Sequence, residues 1–215
     1  VLAATAVNAQ SVKEAKQISK EHKAISKLSE KELNAKASRA AIKEARKLKR
    51  QGWTVTPGAL PLDKQLDKCY KMQYEYEEGG YQKYIMSDAM SIGSNYDAAK
   101  NQALELAKLN LAGQIQVEIT ALVENTVANK QLNPDEAASV VETVNASKNL
   151  ISQSLGRIIP ALECYRTTKN GNKEVLVRLA YNSKLAMEAA RKAVSEKLEE
   201  KGEKLHEQLD KALGF

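Results

Sequence analysis

Aromatic residues are scarce in this chain: one Trp, one Phe and eight Tyr in 215 residues. Sites for flat cofactors are walled mainly by aromatic and apolar side chains, so this poverty argues against one. Histidine is scarcer still, with only His22 and His206, and both lie in charged stretches that read as helix surface. General-base and nucleophilic catalysis most often recruit a histidine beside a nucleophile, and the spacing suggests no such pair. No Cys-x-x-Cys, His-Glu-x-x-His or Asp-rich calcium loop is present. Gly79-Gly80 leads into a predicted strand rather than a helix, so a phosphate-cradling loop is missing too. The expectation is a protein that is not an enzyme and holds no cofactor or metal.

Cysteine is limited to Cys69 and Cys164. An oxidising compartment would allow them to pair, and the sequence leaves pairing and two independent thiols both open. Long apolar runs are also missing. About 20 apolar residues are needed to cross a bilayer, and no stretch reaches that, so no transmembrane span is expected.

What is present begins with Val1–Gln10, a short apolar run followed by Val7-Asn8-Ala9. It reads as the end of a secretory signal peptide with cleavage after Ala9, which places the working protein in the periplasm or outside the cell. The chain carries a net charge of +6, and the excess of Lys and Arg lies in residues 11–50. Within it, Lys43, Arg46, Lys47, Lys49 and Arg50 form a cluster that suits an anionic lipid or lipopolysaccharide surface. A solvated helix face is the plainer reading of the same residues. Nucleic acid is not expected, because the protein reads as exported and no stacking aromatics interleave the charges.

Residues 11–50 lack Gly and Pro and are rich in helix formers, which predicts one long helix with a thin apolar stripe. Four domain segments follow from the punctuation: a signal remnant at 1–9, a basic helical extension at 10–51, a Pro/Gly linker at 52–61 with Trp53 pinned against the body, and an α+β domain at 62–215. The domain opens with a helix to about residue 75, with Leu62, Leu66 and Tyr70 on one face. A strand over 81–92 follows, with Tyr84, Met86, Ala89 or Met90, and Ile92 as candidate inward positions.

Residues 96–124 carry the clearest helical period, through Leu104, Leu111, Ile115, Ile119 and Leu122 beside a small-residue ridge at Ala99, Ala103, Ala107 and Gly113. Pro134 opens a further helix to about residue 153. Strands at 158–166 and 174–181 flank Asn170-Gly171, a strong hairpin signal, and Pro160 marks an edge. A last helix follows Asn182-Ser183 with Leu185, Ala189, Leu198, Leu205 and Leu209 on one face. The fold class is α+β: a small antiparallel three-stranded sheet packed by long helices, with a long N-terminal helical extension.

The strand at 81–92, the run Tyr96-Asp97-Ala98-Ala99 through Ala103-Leu104, Ala107 and Leu111-Ala112-Gly113-Gln114-Ile115, the hairpin, and Tyr181-Asn182-Ser183 with Ala186 and Ala189-Ala190 together resemble the LPP-type bacterial envelope lipoprotein family. The resemblance covers roughly residues 81–192. It implies an envelope protein with a dodecin-like β-α-β-β core. The chain departs from that family in one respect: Gln10 stands where the lipid-bearing Cys follows the signal. That substitution argues against a lipid anchor.

The expected function is that of a non-enzymatic periplasmic or secreted envelope component, acting by contact with envelope proteins or with itself. The alternative is a binding module for an anionic envelope surface or a small ligand, through the basic helix or the tyrosines. Tyr70, Tyr74, Tyr76, Tyr81 and Tyr84 form a cluster that could line an interface or groove, or could serve ordinary packing.

Overall fold

A computed structural model describes residues 2–128 and 134–199. The chain divides into two compact units, 1–37 and 38–215. The first is a single helix, α1 (Leu2–Asn34). Its side chains from Lys16 to Asn34 are exposed, Ile18, Ile25, Leu28 and Leu33 included.

The predicted single helix over 11–50 is two helices. The helical run stops after Asn34, and α2 (Arg39–Arg50) begins behind Ser38. Ser38 Oγ accepts from the Ala41 N–H at 3.3 Å, the usual role of a serine at a helix start. Its own N–H donates to the Asp67 carboxylate at 2.8 Å. That partner lies far along the chain, which is why composition alone gave no sign of the break.

The second unit is built on a sheet of order β1-β3-β2, comprising β1 (Tyr84–Gly93), β2 (Ile159–Thr167) and β3 (Lys173–Asn182), all antiparallel. β3 is central, and its alternate residues Val175, Val177, Leu179 and Tyr181 are buried. Pro160 lies on the β2 edge, where a missing N–H is harmless, and the register slips between it and Leu162. The β2–β3 turn places Gly171 at φ 82°, a conformation glycine adopts without strain.

One sheet face is covered by α4 (Tyr96–Ala128), with α5 (Pro134–Ala146), α6 (Lys148–Ser154) and α7 (Ser183–Glu199) packed beside it. Asn95 caps α4 by accepting from the Ala98 N–H at 2.9 Å. Asn182 caps α7 in the same way, accepting from Leu185 at 3.1 Å. Ala99, Ala103 and Ala107 let the first turns of α4 lie close on the sheet, and Leu111, Ile115, Ile119 and Val123 continue the ridge into the helical layer. The first turn of α4 is also fixed laterally. The Tyr96 ring meets Tyr165 of β2 edge-on at 5.2 Å, and its hydroxyl donates to Glu163.

Three expectations are corrected here. In β1 the buried residues are Ile85, Ser87 and Ser91, whereas Met90 and Ile92 are exposed. The inward face is therefore the opposite one, since a serine can face in where it finds an acceptor: Ser87 Oγ donates to the Ala107 carbonyl at 2.7 Å. The helix predicted over 134–153 breaks at buried Ser147, whose hydroxyl donates back to the Thr143 carbonyl at 2.7 Å. In α7 the buried face is Ala186, Ala190, Ala193 and Val194, not the one marked by Leu185, which is exposed. The Leu198 side chain and residues 200–215 lie outside the described residues, Leu205 and Leu209 among them.

The other sheet face is covered by α3 (Leu62–Gln73), with α2 packed upon α3. Leu62, Leu66, Cys69 and Met72 of α3 are buried, as are Leu162 and Cys164 of β2, which lie on this face. Gln65 joins the layers, accepting from the Glu163 N–H at 2.7 Å. Trp53 in the connector is buried with its ring 4.8 Å from the Arg166 guanidinium, and Arg166 in turn is ion-paired to buried Glu174.

Candidate functional site

α2 is strongly two-faced. Ala41 and Ala45 are buried, and their small size allows close approach to α3. At 100° per residue the opposite side carries Arg39, Lys43, Arg46 and Arg50 in one row, spaced i, i+4, i+7 and i+11. Lys47 and Lys49 flank that row. Lys43, Arg46, Lys47, Lys49 and Arg50 are all exposed, so the structure brings the five basic residues expected from sequence onto one solvent-facing helix. Arg39 belongs with them and sequence reasoning missed it, although the same spacing could have revealed it.

No ion pair involving these six cations occurs among the described residues. The single acid of α2, Glu44, is engaged by the Tyr70 hydroxyl, which donates to it. That bond holds the Tyr70 phenol above its ordinary pKa. Lys47, Lys49 and Arg50 in the last turn also face the negative end of the helix dipole, which stabilises α2. The α3 surface adds Lys68 and Lys71, and Lys71 is partly neutralised by Asp67 at 3.5 Å. The arrangement is a shelf of fixed positive charge about 16 Å long on a rigid backing.

The tyrosines do not form one cluster. Tyr70 is committed to Glu44, and Tyr74, at the end of α3, is exposed. Tyr84 lies in β1, with the Lys83 ammonium 5.6 Å from its ring. Tyr76 and Tyr81 alone share a concavity, an open groove of about 790 Å³ between the 76–81 turn, α4 and the start of α7. Leu122 and Met187 contribute apolar lining, and Glu77, Glu78 and Glu188 contribute acidic lining. Its two lysines face acids: Lys184 meets Glu77 at 2.7 Å and Lys83 meets Glu75 at 2.6 Å. The Lys184 contact holds the Glu77 carboxyl below its usual range, and the Glu75 contact raises Lys83. Sequence reasoning missed the α7 side of this groove, because only the pairing of Tyr84 with Asn182 brings that helix to the turn.

Cys69 and Cys164 are free thiols, both buried. Burial pushes the Cys164 thiol up to about 12 and raises Cys69 as well, so neither is poised as a nucleophile. The disulfide the sequence left open does not join them in this structure, where each fills space in the α3 layer as a small apolar group. His22 is exposed on α1, and His206 lies outside the described residues. Among the described residues no group of three His, Cys, Asp and Glu side chains is placed to hold a metal ion. No described helix is long and apolar enough to cross a membrane. Comparison with family models, curated proteins and solved structures finds no match to this chain.

Proposed function

We propose that this chain is a non-enzymatic interaction protein of the cell envelope, whose α+β body is a rigid platform and whose α2 docks on an anionic surface. The observation that carries the proposal is the row Arg39, Lys43, Arg46 and Arg50, free of acid partners among the described residues and backed by buried Ala41 and Ala45. A basic residue near an anionic membrane surface contributes about 1 kcal/mol, so four acting together supply about 4 kcal/mol, or several hundred-fold in affinity. Guanidinium groups suit this role because they grip phosphate with two parallel donors. The envelope address rests on the signal-like Val1–Gln10 and on the likeness to LPP-type envelope lipoproteins.

The test is co-sedimentation of the purified chain with vesicles of anionic or purely zwitterionic lipid at low and high salt. Binding to the anionic vesicles is expected, and raised salt should weaken it steeply. Replacing Lys43, Arg46 and Arg50 together by Ala should remove most of it. Binding that ignores both salt and those substitutions would refute the proposal.

A further inference from the structure

β1 is an edge strand, and no strand of the described residues pairs with its outer side. The Lys83 carbonyl accepts from Ser183 on the α7 side at 2.9 Å, which sets the alternation of the strand that follows. The odd residues of β1 turn their backbone groups to β3, and Met86, Asp88, Met90 and Ile92 turn theirs outward. Among the described residues the group that reaches this row is Asn110 of α4, which donates to the Asp88 carbonyl at 3.2 Å. Natural edges are usually blunted by Lys, Pro or a bulge. This one, Tyr84–Gly93, has no Lys and no Pro, and it runs against β3 without a register shift. Its one charge, Asp88, stands opposite Arg178 of β3.

We propose that this edge pairs with the same edge of a second copy, antiparallel and centred on Ala89, joining two three-stranded sheets into one of six. In a two-fold antiparallel pair facing residues share a sheet face, so one residue must oppose its own copy. Centring on Asp88 would set two carboxylates face to face, a destabilising pair. Centring on Ala89 sets Met86 against Ile92 and Asp88 against Met90, with Ser87 against Ser91 on the α4 face. Every outward N–H and C=O from Met86 to Ile92 then finds a partner.

The exposed apolar side chains lie where this contact needs them. Met90 and Ile92 are each about half exposed on the strand, and Leu106 and Val117 are exposed on α4 either side of Asn110. Two copies about the axis would lay these α4 faces side by side above the joined strands. A seven-residue strand is about 24 Å long, and the sheet and helix layers together are about 20 Å deep. The buried strip is then about 500 Å² per copy and about 1,000 Å² in all, which just reaches the size of a specific interface. The dimer is accordingly weak and concentration-dependent, and a second copy suits an edge with so little charge in a chain this basic.

The experiment is sedimentation equilibrium of the full chain from about 1 to 500 μM, with far-UV circular dichroism to confirm folding. A monomer–dimer equilibrium is expected in the wild type. Met90→Pro removes an N–H that faces away from β3, and Met90→Glu sets a carboxylate opposite Asp88 of the second copy; both should stay monomeric with an unchanged spectrum. Because either variant could misfold, Ala89→Cys supplies a second readout. Opposed Ala89 positions are close enough for a disulfide, so mild oxidation should give a covalent dimer, and adding Met90→Glu, which faces Asp88 of the second copy, should abolish it.

A monomer at every concentration, a dimer that survives both Met90 substitutions, or Ala89→Cys that fails to cross-link would each overturn the proposal. Hydrogen exchange separates one further case. If the Met86, Asp88, Met90 and Ile92 amides are already protected in a dilute monomer, another segment of the same chain occupies the edge and the self-pairing proposal fails.

Discussion

The Tyr70 hydroxyl of α3 donates to the Glu44 carboxylate of α2, so the helix that carries the basic row is held to the body by a charge-assisted hydrogen bond as well as by Ala41 and Ala45. Tyr70→Phe should cost about 1–2 kcal/mol, because a hydrogen bond to a charged group is lost and half-exposure softens the loss. The bond also has a pH signature. The Tyr70 pKa is raised by Glu44, so the folded chain favours the protonated phenol. Its contribution is complete below the ordinary tyrosine range near pH 10 and is lost as pH rises through the raised value. Urea denaturation from pH 8 to 11 should show a steeper alkaline loss in the wild type than in Tyr70→Phe.

Asp67 gives the opposite slope. Burial alone would raise its carboxyl, but the hydrogen bonds from Ser38, with help from Lys71, outweigh that and hold it low. A lowered carboxyl stabilises the fold above the ordinary value near pH 4, and the gain disappears as pH falls through the folded value. Asp67→Ala should destabilise the protein by about 1 kcal/mol at pH 7 and by less near pH 3. Equilibrium denaturation at the two pH values measures the difference.

Arg39 is expected to behave as a full member of the basic row. Arg39→Ala should weaken anionic-vesicle binding about fivefold, as much as Arg46→Ala does, and should lessen its salt dependence. Lys184→Ala, at the distant groove, should leave vesicle binding unchanged. Paired titrations at two salt concentrations decide this.

The thiols should be silent in the native protein. Cys69 and Cys164 are each about 1% exposed, and both pKa values lie above the ordinary thiol value. Alkylation at pH 8 should be slow, becoming rapid and reaching two thiols per chain once denaturant is added. Mass spectrometry without reductant reads both stages.

Gly93 sits where β1 turns into α4, and a Cβ there would lie 2.7 Å from the Ala99 amide nitrogen. Backbone cannot step aside as a side chain can, so Gly93→Ala should cost about 1–3 kcal/mol. Gly156, which has open space around it, should accept Ala with little change. A thermal melt of the two variants makes the comparison.

The legible parts of this fold are those written in local signals. Asn95 and Asn182 announce the starts of α4 and α7, Asn170-Gly171 announces the hairpin, and the Ala ridge of α4 announces its buried side. The illegible parts depend on partners distant in sequence. Ser87 and Ser91 face inward because α4 and its side chains supply acceptors, which reverses the face of β1 that apolar spacing suggests. Ser38 begins α2, with its N–H held by Asp67. The basic row was visible because helical spacing alone assembles it. The groove was visible only in Tyr76 and Tyr81, since the register of β1 on β3 decides which helix faces them.

That register also sets a timetable for synthesis. Ile85 pairs with Tyr181, so β1 leaves the ribosome long before the strand that completes it. At about 5–20 residues per second, the wait is on the order of 5–20 s. Throughout it, β1 lacks β3, its one neighbour in the sheet, and α4 has only part of the surface it will cover. The nascent chain therefore offers a strand rich in Met and Ile to whatever holdase is nearby, and the β2–β3 hairpin ends that exposure when it inserts beside β1.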